Sequence, residues 1–147
     1  MKAELNENEV IEVEYIDRNN YKEYIGKTVK VTGNVLLRGL GLTKIPINFT
    51  EVGGNFYCSE NQLTSLEGAP RRVGRDFYFW DNQLTSLVGS PKFVGGSVDC
   101  SYNQLTDLEG APEKVGGDFK CAKNQFTSYK GKPKFIGGEF IWWLNVK

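Results

Sequence analysis

The chain has 147 residues, and its 18 basic and 18 acidic side chains leave a formal net charge of zero. That length suits a single domain, and the balanced charge argues against a general polyanion binder, local patches aside. There is no histidine, which removes the commonest general base, nucleophile partner and metal ligand near neutral pH.

Residues 1–30 differ from the rest. Lys2 is the only base before Arg18, against Glu4, Glu7, Glu9, Glu12, Glu14 and Asp17. Ile11, Val13 and Tyr15 fall at every second position, the period of a strand. Asp17-Arg18-Asn19-Asn20 reads as a turn, and Tyr21 to Lys27 leads onward. The first residues, MKAELNENEVIEVEY, contain no signal-peptide apolar region. No apolar run is long enough to cross a bilayer. The expectation is a cytoplasmic protein with no membrane contact.

From Val52 to Phe135 one 21-residue unit occurs four times without insertion or deletion: VGGNFYCSENQLTSLEGAPRR, VGRDFYFWDNQLTSLVGSPKF, VGGSVDCSYNQLTDLEGAPEK and VGGDFKCAKNQFTSYKGKPKF. A fixed period of this size marks a solenoid, in which no copy buries its own apolar residues and stacking makes one continuous core. One period back from Val52, Val31 opens a degenerate coil with Val35, Leu37, Leu42, Thr43 and Ile45 in the matching columns. Leu40 replaces the asparagine there. One period forward, Ile136 opens a last coil that is a strand and little else. The expected division is an N-terminal cap segment, 1–30, and a solenoid, 31–147, forming a single domain. An open solenoid end exposes core columns and strand edges. The segment 1–30 is therefore read as a cap, with an acidic partner-binding arm as the other reading.

The columns have physical reasons. Phe56, Phe77, Val98, Phe119 and Phe140 share one column; Cys58, Phe79, Cys100, Cys121 and Trp142 share the column two residues later. That spacing places both on one face of a strand. Leu63, Leu84, Leu105 and Phe126, then Leu66, Leu87, Leu108 and Tyr129, follow on the bend out of the strand. Asn61, Asn82, Asn103, Asn124 and Asn145 form a polar column among apolar ones. A buried amide survives only when hydrogen-bonded, so a ladder to the backbone of its own and the next coil is expected.

Reduced to its repeated positions, the unit reads V-x-x-x-F-x-C-x-x-N-x-L-x-x-L-x-G-x-P. This resembles the leucine-rich repeat, L-x-x-L-x-L-x-x-N-x-L, over Phe56-x-Cys58-x-x-Asn61-x-Leu63 and its three successors. It is most similar to the short repeats of bacterial secreted effectors, which also carry a late proline. The wording NQLTSLEGAP is similar to repeat proteins encoded by bacteriophages. A Gly-Gly pair and an extra residue before the strand depart from the pattern. The resemblance implies a mainly-β, leucine-rich-repeat-like solenoid of about five to six coils, with one narrow parallel sheet on the concave side and the N-terminal cap. Gly and Pro in the short outer segment leave no room for a helix. The phage-like wording implies a small protein in the host cytoplasm that engages and inhibits a host factor.

Nothing in the chain points to catalysis. No serine or cysteine sits in a nucleophile elbow. The Gly-Gly pairs recur with the period and serve a turn, unlike a phosphate loop, which would occur once and open a helix. The three cysteines have no zinc-type spacing, and all fall in a core column where cysteine acts as a small apolar residue. Cys100 and Cys121 stack on neighbouring strands, where a disulfide seldom finds its torsion. The expectation is a non-enzyme with three thiols and no cofactor or metal.

A binding surface is the alternative to catalysis. The outward strand positions vary between copies while the core positions repeat, as expected for a face free to be used. The candidates are Tyr57, Asp76, Tyr78, Trp80, Asp81, Asp99, Tyr102, Lys120 and Trp143, an aromatic face with acid around it. Aromatics anchor protein interfaces, whereas nucleic acid would require bases among them. The expected partner is another protein, a host or cellular factor. The bland reading is cross-strand packing, with Tyr57 and Tyr78 stacked. Two rivals remain. One is a nucleic-acid or anion binder using Arg71, Arg72, Lys92, Lys114, Lys130, Lys132 and Lys134 on the convex side, with Glu67, Glu109 and Glu113 among them. The other is self-association through the aromatic C-terminal stretch Phe140–Leu144, with Phe140 and Trp142 inward and Ile141, Trp143 and Leu144 outward; its bland counterpart is indoles lying over the open core.

Overall fold

The structure, a computed structural model, describes residues 9–143; Asn145 and Leu144 lie outside them. The strands, in chain order, are β1 (Val10–Val13), β2 (Thr28–Val31), β3 (Val35–Leu36), β4 (Asn48–Val52), β5 (Phe56–Tyr57), β6 (Arg72–Val73), β7 (Phe77–Tyr78), β8 (Phe93–Val94), β9 (Val98–Asp99), β10 (Lys114–Val115), β11 (Phe119–Lys120), β12 (Phe135–Ile136) and β13 (Phe140–Ile141). They form two parallel sheets. Sheet I runs β1-β2-β4-β6-β8-β10-β12 and sheet II runs β3-β5-β7-β9-β11-β13. The molecule is a β-solenoid of about six turns, and its only described helix is a single 3-10 turn at Tyr21–Tyr24.

Each coil lays down one strand in each sheet, and the register advances by 21 residues: Phe56 pairs with Phe77, Phe77 with Val98, and Val73 with Val94. The inward residues are those of the repeated columns. Phe56, Phe77, Val98 and Phe119 are fully buried, as are Leu63, Leu84 and Leu105 and the valines Val73 and Val115. The phenylalanine column packs edge-on, with Phe56 and Phe77 centroids 5.6 Å apart, a favoured ring geometry.

A second sheet stands where a single narrow one was expected. The short outer segment, whose Gly and Pro leave no room for a helix, is expected to be extended or turn-like, and only one apolar residue, Val73 or its equivalent, recurs there. Its strand character comes from backbone bonding between coils, which has no side-chain signature. Even the third side of the coil carries such bonds, from Gln83 N–H to the Leu63 carbonyl and from Gln104 N–H to the Leu84 carbonyl, both 2.9 Å.

The N-terminal segment is built as a further coil. β1 extends sheet I by pairing with β2, and Ile16, fully buried, bridges Val35 at the start of sheet II. The expected turn follows: Asp17 accepts from Asn19 N–H through its side chain and from Tyr21 N–H through its carbonyl. Tyr21 and Tyr24 then pack against the core where later coils place leucines. A bulge between Val29 and Val31 absorbs the extra residue of β4.

The asparagine ladder is present, with one change of direction. Asn103 Oδ1 accepts from Leu84 N–H at 3.0 Å, and its amide nitrogen donates to the carbonyls of Phe79 at 3.2 Å and Cys100 at 3.1 Å. Asn61, Asn82 and Asn124 repeat this arrangement. Each amide thus ties its own coil to the preceding one, not to the next. The residue before each asparagine, Glu60, Asp81, Tyr102 or Lys123, sits at a φ of 55–59°. This left-handed kink turns the amide inward. Asn103→Ala should lower the unfolding free energy by about 1–3 kcal/mol. Asn103→Asp should be no milder, because it keeps the acceptor and loses the nitrogen. Urea melts of the two variants check this, and a benign Asn103→Asp would count against the ladder.

Candidate functional site on the outer face of sheet II

The outward residues of sheet II form columns along the solenoid. The first is Leu36, Tyr57, Tyr78, Asp99, Lys120 and Ile141, in register. Tyr57 and Tyr78 stack as expected, with centroids 5.0 Å apart and an interplanar angle of 8°. Asp76 stands beside them; burial, then the Asp76 charge, push the Tyr78 phenol up to about 12. Burial and Asp76 also raise the Tyr57 phenol. Both tyrosines therefore remain neutral hydrogen-bond donors at any physiological pH.

Asp76 has a second task. Asn34, Asn55, Asp76, Ser97 and Asp118 form an edge ladder in which each side-chain oxygen accepts the backbone N–H of its counterpart one coil on. Asp76 takes Ser97 N–H at 2.8 Å. One of its carboxylate oxygens is thus committed to the turn.

The next column is Arg38, Ser59, Trp80, Ser101, Ala122 and Trp143. Trp80 is partly covered, because the Arg38 guanidinium lies 4.9 Å from its ring centre. Arg38 also pairs with Glu60. Arg38 and Trp80 belong to coils on either side of Ser59, and they meet across it. Ser59 is 1% exposed, and its hydroxyl oxygen has no hydrogen-bond partner. Trp80 is half-buried, whereas Tyr102 and Trp143 are each 56% exposed. The reason is the arginine, which lies in the degenerate coil. Asp81 and Tyr102 occupy the left-handed position before the asparagine and point to solvent.

The structure therefore gathers Tyr57, Asp76, Tyr78, Trp80, Asp99 and Lys120 on one face, with Asp81 and Tyr102 along its rim. Trp143 lies five coils from Arg38, at the far end. The sequence reading missed Leu36, 42% exposed, and Arg38. With Asp17, Arg18, Tyr57 and Glu60 they line a hollow of about 750 Å³ at the N-terminal end of the face. Acidic and basic side chains thus mix along the face, with Asp81 and Asp99 in its middle between Arg18 and Arg38 on one side and Lys120 and Lys123 on the other. Applying the column comparison one coil further back, to Leu36 and Arg38, would have found both.

At the C-terminal end, Phe140 is partly buried and packs on Tyr129 at 5.6 Å. Trp142 continues the inward column and touches Tyr129 at 5.6 Å, yet remains 44% exposed. It was expected to be inward; its column ends there among the described residues. The three cysteines are buried and none is joined in a disulfide. Among the described residues, no three His, Cys, Asp or Glu side chains gather where they could hold a metal ion, and no helix is long and apolar enough to cross a membrane. Family models, curated proteins and solved structures were compared with this chain, and none matches.

Proposed function

We propose that the outer face of sheet II is a non-catalytic binding surface for another protein. One observation carries this reading. Within a single chain whose core columns repeat, the outward columns diverge, and they diverge toward a stacked tyrosine pair, a tryptophan and the exposed Tyr102, with Tyr57 also lining the hollow at the N-terminal end. Large aromatics with few rotatable bonds anchor protein interfaces. Tyr57 and Tyr78 offer neutral hydroxyls, and Trp80 is held in place by Arg38, so the anchors are ordered before any partner arrives and less entropy is lost on binding. Asp99 and Asp81 add negative charge in the middle of the face, which suits a partner basic at its centre.

The similarity of NQLTSLEGAP to repeats encoded by bacteriophages, and of the unit to leucine-rich repeats, supports the more specific reading of a phage protein that engages and inhibits a host factor in the cytoplasm. Against a partner captured from lysate, Trp80→Ala should weaken binding by about 2 kcal/mol or more. Its effect on folding should be small, because Ala122 occupies the same column. Arg71→Glu with Arg72→Glu, on sheet I, should leave that binding intact. Titrations of both variants against one partner, each with a melting curve, test the assignment. Loss of binding only in the arginine variant would move the site to the other sheet.

A further inference from the structure

The outer face of sheet I carries a pattern of its own. Its outward column, strand by strand, is Glu12, Lys30, Glu51, Arg72, Phe93, Lys114 and Phe135. Lys30 and Glu51 pair at 3.9 Å, and Glu12 stands beyond them at the edge strand. On their other side cations and phenylalanines alternate. Phe93 is 39% exposed and Phe135 51%. The Arg72 guanidinium lies 5.7 Å from the Phe93 ring centre, and the Lys114 ammonium 5.5 Å from that of Phe135. The neighbouring column, linked coil to coil by backbone bonds, is Arg71, Lys92, Glu113 and Lys134, all exposed.

Between these side chains runs a bare floor. Gly74, Gly95 and Gly116 line a groove of about 360 Å³ together with Arg72, Phe93 and Lys114. Stacking itself requires the glycines, so the backbone along this strip is uncovered. Cross-strand cation–π packing accounts for the alternation alone. It does not account for the second basic column, nor for two phenyl rings left open to solvent on the same side as that charge.

We propose that this groove binds single-stranded nucleic acid, independently of the sheet II face. The chemistry matches part by part. A single strand presents phosphates at regular intervals and unpaired bases with open faces. Stacking on aromatic rings beside a positive track is how such strands are held without sequence preference. Phe93 and Phe135 stand two strand spacings apart, roughly 10 Å, with Lys114 between them, and Arg71, Arg72 and Lys92 alongside to meet phosphates. A duplex hides its base faces and a sulfated polysaccharide has none, so neither can use the rings. The net charge of zero does not oppose this, because phosphate contacts depend on local cations.

The test is fluorescence anisotropy at low and moderate salt, with a labelled mixed-sequence single strand of about 12 nucleotides, within the usual footprint of one such groove. A duplex of that length and heparin serve as competitors. The single strand should bind, and both competitors should displace it at least tenfold less well than unlabelled single strand. Phe93→Leu with Phe135→Leu, which keeps apolar bulk and removes the rings, should weaken binding about tenfold; Arg72→Glu with Lys114→Glu should abolish it. Trp80→Ala should leave it unchanged, which separates this site from the sheet II face. Absence of binding at low salt would overturn the proposal. So would displacement by duplex or heparin as readily as by single strand, or indifference to the leucine variant when its melting curve matches the wild type.

Discussion

Gly95→Ala should destabilise the protein by about 3 kcal/mol or more, an effect as large as losing a core side chain. A β-carbon at Gly95 would stand 2.2 Å from the carbonyl oxygen of Gly74 and 3.0 Å from its carbonyl carbon. Both atoms are backbone, fixed because Gly95 N–H donates to the Val73 carbonyl and Gly74 N–H to the Val52 carbonyl. Relief therefore requires two coils to part, not a side chain to turn. The same clash recurs at Gly53, Gly74, Gly116 and Gly137, against oxygens 2.1–2.4 Å away. Gly96→Ala should be milder in one respect, since its nearest obstacle, 2.3 Å away, is the Asp76 side-chain oxygen. That oxygen still has to release Ser97 N–H to make way. Arg75 occupies the equivalent position in the preceding full copy, whereas the first glycine column carries a side chain only at Thr32, in the degenerate coil. Chemical melts of Gly95→Ala and Gly96→Ala measure the difference. A Gly95→Ala protein as stable as wild type would mean that the coils are spaced more loosely than described.

What the sequence made legible follows from what stacking demands. Phe56, Cys58, Asn61, Leu63 and Leu66 repeat because each packs on its own counterpart one coil away, and a like contact needs a like residue. Their burial and the parallel register were therefore readable from period alone. Sheet I was not, because in the repeated copies each of its strands has a single inward residue and its outward residues, Arg72, Phe93, Lys114 and Phe135, share no chemistry. What repeats there is a single inward valine and the glycine after it. The direction of the asparagine ladder was also hidden. Whether Asn103 reaches Leu84 or its successor depends on the left-handed kink at Tyr102, and four different side chains occupy that kink. On the sheet II face, comparing copies singled out Tyr57, Tyr78 and Trp80. It could not show that Arg38 covers Trp80, since that contact spans two coils and skips Ser59. Asp76 illustrates the same limit: variable between copies as Asn, Asp or Ser, it looked free for binding, yet all three types can accept the backbone N–H that the turn requires.

Raising the pH from 7.5 to 10 should cost the fold on the order of 4 kcal/mol through its three thiols. Burial pushes the thiols of Cys58 and Cys100 well above the ordinary value of 9.0, and that of Cys121 up to about 12. A group whose pKa is raised by folding contributes full stability below its unfolded value. That contribution is lost as pH climbs toward the folded value, because the unfolded chain releases the proton first. Stability should thus be flat with respect to these groups below about pH 8 and fall between 9 and 12. At pH 10, one unit above the unfolded value, each thiol forfeits about 1.4 kcal/mol. The variant carrying Cys58→Ala, Cys100→Ala and Cys121→Ala isolates the effect. It should be less stable at pH 7.5, since each truncation removes buried volume beside Phe79 or its column neighbours. Its further loss between pH 7.5 and 10 should be smaller than that of wild type by about the same 4 kcal/mol. Urea melts under reducing conditions at the two pH values give both differences. Equal losses in the two proteins would mean that the thiols titrate alike folded and unfolded, and that the cysteine column is open to water.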